Sequence, residues 1–382
     1  TSCEPRHGPV RPARISRGDS EPARTTGIML PRSRRTRRRP HENDPLPAAE
    51  RFLAHTTTRW RLAGAGLVAC AVLLVLATHW ESSLATANAR LDPSYMQATG
   101  MALAQRLRFG VDVLFTFGPL GWFNTSPHVD GLYWTKYAWE LGVRGALVLA
   151  LVLVATRLER RWERVLFVVA LIAPAMRSDS WWFVAAFGLC AWDTGSARPS
   201  RVREACVALG WTLIGLVKFT FLLFAVLCAG AALVSAWRTR GVRAALRFAL
   251  VDVVVFLAAW IALGQSPLDL PAYLAWSVDL TRGYSEGMSI PIGGVALAWA
   301  AAGGAACLAV LVLHLRAHAA SARTHALAVL FALGAFLAFK AGYVRNFGAI
   351  LFFGWVGAAP YVLACACPPP SRAARALAWA RT

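Results

Sequence analysis

The sequence predicts an all-α, polytopic membrane helix bundle of about 10 segments, with a long first extracytoplasmic loop carrying a surface helix. Three observations predict it. Hydrophobic residues make up 57% of the 382-residue chain, and mean hydropathy is +0.47, above the apolar share of a soluble domain. Runs such as RLAGAGLVACAVLLVLATHW (61–80) approach the roughly 20 residues that cross a bilayer. The excess of 40 Lys+Arg over 20 Asp+Glu, net +20, sits mainly in an N-terminal arm and in short loops between apolar runs. That distribution fits the positive-inside rule and contact with anionic headgroups. No nucleic-acid partner is expected, because the basic stretch PRSRRTRRRP has no interleaved aromatics.

Taken in order, residues 1–58 are Pro/Arg/Ser-rich and read as a disordered basic cytoplasmic arm. Met29 is expected to be the true start within it. A transmembrane domain is expected over 59–367, followed by a short basic cytoplasmic tail, 368–382. The run 62–80 ends in His79-Trp80-Glu81 without a small-residue cleavage site, so it reads as a retained anchor. The first extracytoplasmic loop is 81–137, and the second segment is 138–156. The runs 165–176 and 181–192 flank RSDS; each rises only about 18 Å, short enough for a hairpin that does not fully cross. Residues 205–237 are interrupted only by Lys218. A split there puts RPSRVR and RTRGVRAALR on one face, as the charge rule requires. Segments at 246–264, 290–313, 325–339 and 347–366 follow, with a second large extracytoplasmic loop at 265–289. The N-terminus is then cytoplasmic, and the expected location is the bacterial inner membrane.

The outer face collects the residues without a simple structural role. Asp92 and Pro93 read as N-cap and first helical residue, and Met96, Gly100, Leu103 and Leu107 share one face of the helix that follows. FTFGPLGWF (115–123) is apolar yet broken by two glycines and Pro119. Such backbone at membrane depth is tolerated only where it is buried in protein or lines a cavity. Phe115, Phe117, Gly118 and Pro119, joined by Tyr284, are therefore expected to wall an outer cavity, with Asp92 and Asp112 at its mouth. Carboxylates at a wet interface serve as general bases. The structural alternative for Asp92 is a plain helix cap; for Asp112 it is an ion pair with Arg106 or Arg108. Lys218, Arg282, Lys340 and Arg345 fall on the same face, where converging cations would hold a phosphate. Lys218 and Lys340 abut apolar runs, so each reads either as functional or as snorkelling to the interface. Asp252 is expected to pair with Arg247. His314 and His318 lack an HExxH context, and no metal ligand set is read. No Walker, Rossmann or nucleophile-elbow pattern occurs, so no cofactor is expected, and a divalent metal has no support in the sequence.

The chain resembles the GT-C superfamily of membrane glycosyltransferases, such as protein O-mannosyltransferases and lipid A aminoarabinose transferases. The likeness spans about 60–366: one anchor, a long outer loop with Asp92 just after it, a surface helix, the turn FGPLG, and outer basic residues. The paired acids common in that loop are absent, because Pro93 follows Asp92. FTFGPLGWF, GYSEGM and KAGYVRNFG are also similar to segments of bacterial multi-pass membrane proteins without an assigned activity. The superfamily resemblance implies a sugar carried on a polyprenyl phosphate and an envelope acceptor. It implies Asp92 as base with Asp112 as runner-up, and Lys340 and Arg345 at the leaving phosphate, with Arg282 or Lys218. The alternative is a non-catalytic transporter or assembly partner for a lipid-linked or anionic envelope component.

Overall fold

A computed structural model describes residues 66, 91–124, 129, 131–139, 141–143, 146, 179–195, 199–288, 291, 293–318, 321–343 and 349–367. All but residue 66 of the segment expected at 62–80, that at 165–176, most of that at 138–156, the N-terminal arm and the C-terminal tail lie outside these residues. Every named element is helical: α1 (Leu91–Ala104), α2 (Ser180–Thr194), α3 (Arg201–Val217), α4 (Phe219–Arg240), α5 (Val242–Ala262), α6 (Leu270–Met288), α7 (Gly294–His318), α8 (Ala322–Tyr343) and α9 (Ala349–Ala366). Short 3₁₀ turns occur at Gly121–Asn124 and Pro267–Asp269.

Among the described residues, four helices, α4, α5, α7 and α8, are long and apolar enough to cross a bilayer. The 22 residues of α4 rise about 33 Å, a full hydrocarbon thickness. The chain is thus a multi-pass membrane protein. With no water to satisfy backbone groups in lipid, closed helices are the economical way across.

The reversal at Lys218 is present. Lys218 is extended, with φ −156° and ψ 141°, between the end of α3 and the start of α4. Arg240, at the end of α4, hydrogen-bonds Glu204 in the first turn of α3 at 2.9 Å, so the two helices run antiparallel. Arg247 in α5 reaches the same Glu204 oxygen at 2.9 Å. The basic segments around 200 and 240 therefore share one end of the bundle. Arg323, at the start of α8, joins that end through Thr194 Oγ1 at 3.3 Å.

α2 packs against α3, α4, α8 and α9, and α8 against α7 and α9. Phe183, Phe187, Phe221, Phe224, Phe331 and Trp355 fill the space between them. Phe224 meets Trp355 edge-on at 5.8 Å, a favourable aromatic geometry.

Residues 265–289, expected as a loop, are mostly helix. The Ser266 side chain accepts from the Leu268 amide, Pro267 starts the turn, and α6 continues to Met288. Tyr273 and Ser277, one turn apart, are buried while Asp279 and Arg282 are exposed. Three charges and few long apolar runs hid this helix from a hydropathy reading.

Candidate functional site

The two large loops expected on one face do meet. The Phe109 amide donates to Gln265 Oε1 at 2.9 Å, and Gln265 Nε2 donates to the Leu107 carbonyl at 3.2 Å. Arg108 grips Asp269 with two bonds, Nε–Oδ2 2.7 Å and Nη2–Oδ1 2.5 Å, the bidentate geometry that suits a guanidinium. Those bonds hold the Asp269 carboxyl below the usual aspartate range, with burial opposing, and they raise the Arg108 guanidinium. Gly110 has φ +91°, and a Cβ there would fall 2.4 Å from the Tyr273 backbone nitrogen. Only glycine lets the loop sit this close to α6.

FTFGPLGWF runs beside the Lys218 reversal and closes it with main-chain bonds. The Gly118 amide donates to the Val217 carbonyl at 3.0 Å, and the Leu120 amide to the Leu216 carbonyl at 3.0 Å. Thr116 returns its carbonyl to the Phe219 amide at 2.7 Å. The last carbonyls of α3 and the first amides of α4 lack partners inside their helices, and this segment supplies them. Pro119 sits between the two donating residues, where no N–H is called for. A Cβ on Gly118 would lie 2.3 Å from the Leu216 carbonyl oxygen. The apolar, broken composition thus has a backbone reason. Phe117, Gly118, Pro119, Leu120, Trp122 and Phe123 are buried there as a packed clip, and Phe115 is half-buried.

Beside the clip, Lys218 Nζ bonds Asp179 Oδ2 at 2.6 Å, with side chains 22% and 23% exposed. The ammonium lies 5.2 Å from the Phe117 ring centre and 5.6 Å from that of Phe221, within cation–π reach. Phe115 and Phe117 stack at 5.5 Å with planes 5° apart. Tyr95 of α1 packs on both, at 5.1 and 6.0 Å. The result is a half-buried ion pair beside Phe117 and Phe221, with Tyr95 and Phe115 packed on Phe117. It can hold an anionic oxygen at Lys218, with the half-buried rings of Tyr95 and Phe115 nearby.

The structure brings together Lys218, Phe115, Phe117, Gly118 and Pro119 of the expected set. Asp112 is exposed, and its Oδ2 accepts the Arg108 amide at 2.9 Å, a local turn rather than a pair with a guanidinium. Asp92 lies in the first turn of α1, three residues before Tyr95, and its side chain is outside the described residues, as is that of Tyr284. Arg345 lies outside them altogether. Arg282 is exposed with Asp279 of its own helix 3.9 Å away. Lys340 is exposed at the end of α8. Sequence reasoning missed Asp179 and Tyr95. Their signals were an acid in RSDS directly before an apolar run, and an aromatic one turn after Asp92.

The opposite end carries a second charged group. Glu204, 2% exposed, takes both Arg240 and Arg247, and Arg240 lies 3.8 Å from the buried Asp193. The expected Asp252–Arg247 pair does not form: Glu204 outcompetes Asp252 because its carboxylate reaches Arg240 and Arg247 at once.

No family model matches the chain, and neither a curated protein nor a solved structure matches it.

Proposed function

We propose that this chain is an integral-membrane glycosyltransferase that moves a sugar from a polyprenyl-phosphate donor to an envelope acceptor, working at the end of the bundle where the loops join. The observation that carries this reading is the Lys218–Asp179 ion pair beside the Tyr95–Phe115–Phe117 aromatic faces. The half-buried rings of Tyr95 and Phe115 take the apolar face of the sugar. Lys218, oriented by Asp179, offsets the charge that develops on the departing phosphate. The bond from the anomeric carbon to phosphate oxygen breaks, and a bond to the acceptor oxygen forms. The acceptor proton passes to a carboxylate, a role the superfamily resemblance gives to Asp92. The arginine-rich end then faces the cytoplasm and the loop end faces outward, in a bacterial inner membrane.

The test is transfer from a panel of labelled polyprenyl-phosphate sugars by purified protein in vesicles. Lys218→Ala and Asp92→Asn are each expected to lower transfer by about 10²–10³-fold, the size of a lost oxyanion contact, with unchanged melting behaviour. Wild-type protein that transfers no sugar, or variants that transfer normally, would overturn the reading. A transporter or assembly partner is the runner-up. A discontinuous helix at the membrane midplane is its usual mark, whereas the break at Lys218 is a chain reversal between antiparallel helices.

A further inference from the structure

α7, α8 and α9 border an open groove of about 330 Å³, lined by Gly304, Cys307, Phe336, Phe339 and Phe352 among other apolar residues. Two of these helices, α7 and α8, are long and apolar enough to cross the bilayer. The lining of α8 runs from Phe331 to Phe339, about 12 Å along the axis. The floor at Gly304 is open: a Cβ built there meets nothing within 4 Å.

One end of the groove is not apolar. Lys340 follows Phe339 and sits four residues beyond Phe336, on the same side of α8. It is exposed and makes no ion pair among the described residues. Tyr343 is one turn further from Phe339, with their rings 4.9 Å apart, and its ring is 6.2 Å from that of Phe352. Tyr343 is 4% exposed, and its hydroxyl is buried without a hydrogen-bond partner among the described residues. An exposed ammonium at the end of an apolar groove is the complement of a chain with an anionic oxygen head.

We propose that this groove holds one acyl chain of an anionic bilayer glycerophospholipid, with its phosphate taken by Lys340 Nζ. The site shares no residue with the Lys218–Asp179 pair and does not depend on the transferase reading.

The experiment is native mass spectrometry of protein released from nanodiscs of equal phosphatidylglycerol and phosphatidylcholine. Wild type is expected to retain one phosphatidylglycerol. Gly304→Phe fills the open floor and is expected to cut retention of both lipids at least about tenfold. Lys340→Gln is expected to keep chain binding and lower the preference for phosphatidylglycerol about tenfold. Unchanged retention in Gly304→Phe, or an unchanged preference in Lys340→Gln, overturns the proposal. So does a wild-type dimer whose cross-links vanish in Gly304→Phe, which would make a second copy the occupant. Preferential retention of added polyprenyl phosphate overturns it as well. If Gly304→Phe does not fold, Lys340→Gln decides alone. Protein that transfers sugar but retains no phospholipid sinks only the groove; protein that retains phospholipid but transfers nothing sinks only the transferase reading.

Discussion

At the arginine end of the bundle, side-chain charge ties the helices together: the Glu204 carboxylate is shared by Arg240 and Arg247, linking α3, α4 and α5. At the loop end the main chain does this work. Residues 116–120 exchange three backbone hydrogen bonds with the α3–α4 reversal, and one ion pair, Lys218–Asp179, stands beside them. The reason lies in what each end must satisfy. Three helix ends crowded with arginines need an anion among them. A one-residue reversal leaves unpaired carbonyls and amides, which only another stretch of backbone fits well. The Lys218–Asp179 side chains are 22% and 23% exposed, whereas the Glu204 carboxylate is buried between two arginines.

Removing charge at the arginine end should therefore cost the most. Glu204→Ala leaves Arg247 without its anion and Arg240 with only the more distant Asp193, 3.8 Å away. Breaking a buried pair by deleting one partner costs about 3 kcal/mol or more. Denaturant unfolding in detergent should show that loss. A loss under about 1 kcal/mol, the worth of a surface pair, would mean that Glu204 is not the keystone of this end.

The second test strikes the backbone clip. Gly118→Ala drives a methyl into the Leu216 carbonyl oxygen, and overpacking of this kind costs about 1–3 kcal/mol. Hydrogen exchange should then quicken at Phe219 and Leu120 while the amides around Glu204 stay protected. Equal exchange at both ends would show that the clip and the charge network are not separate devices.

Sequence reading reached these two ends unequally. The reversal at Lys218 was legible because a single lysine in a 33-residue apolar stretch, together with alternating basic loops, allows few other topologies. A helix here was legible too, from Asp92-Pro93 and its 3–4 spacing, although it begins at Leu91, which places Asp92 inside the first turn, and ends at Ala104, before Leu107. The pairing of 116–120 with Leu216 and Val217 was not legible. Main-chain bonds between segments about 100 residues apart leave no period in either one. Asp179 was passed over for the same reason: its role depends on Lys218, which is 39 residues away. Asp252 was matched to Arg247 by nearness in sequence, but in the bundle Glu204 of a neighbouring helix is better placed.

The smallest expected effect is at the junction of the two loops, and pH separates it from the rest. Hydrogen bonds from Arg108 hold the Asp269 carboxyl below the ordinary aspartate value of about 3.9. A carboxyl whose value is lower folded than unfolded favours folding when it is ionised. Its contribution is complete above the unfolded value and is lost as pH falls through the folded one. Wild type should therefore lose a part of its stability below about pH 4 that Asp269→Asn, already lacking it, does not lose. Between pH 5 and 7 the two proteins should differ by a constant, small amount. The measurement is the difference in unfolding free energy between them across pH 7 to 3, which cancels the other carboxylates. A difference that does not shrink on acidification would mean that Arg108 holds the loops through packing and the Gln265 bonds alone. The Arg108–Asp269 pair would then add nothing that depends on the charge of Asp269.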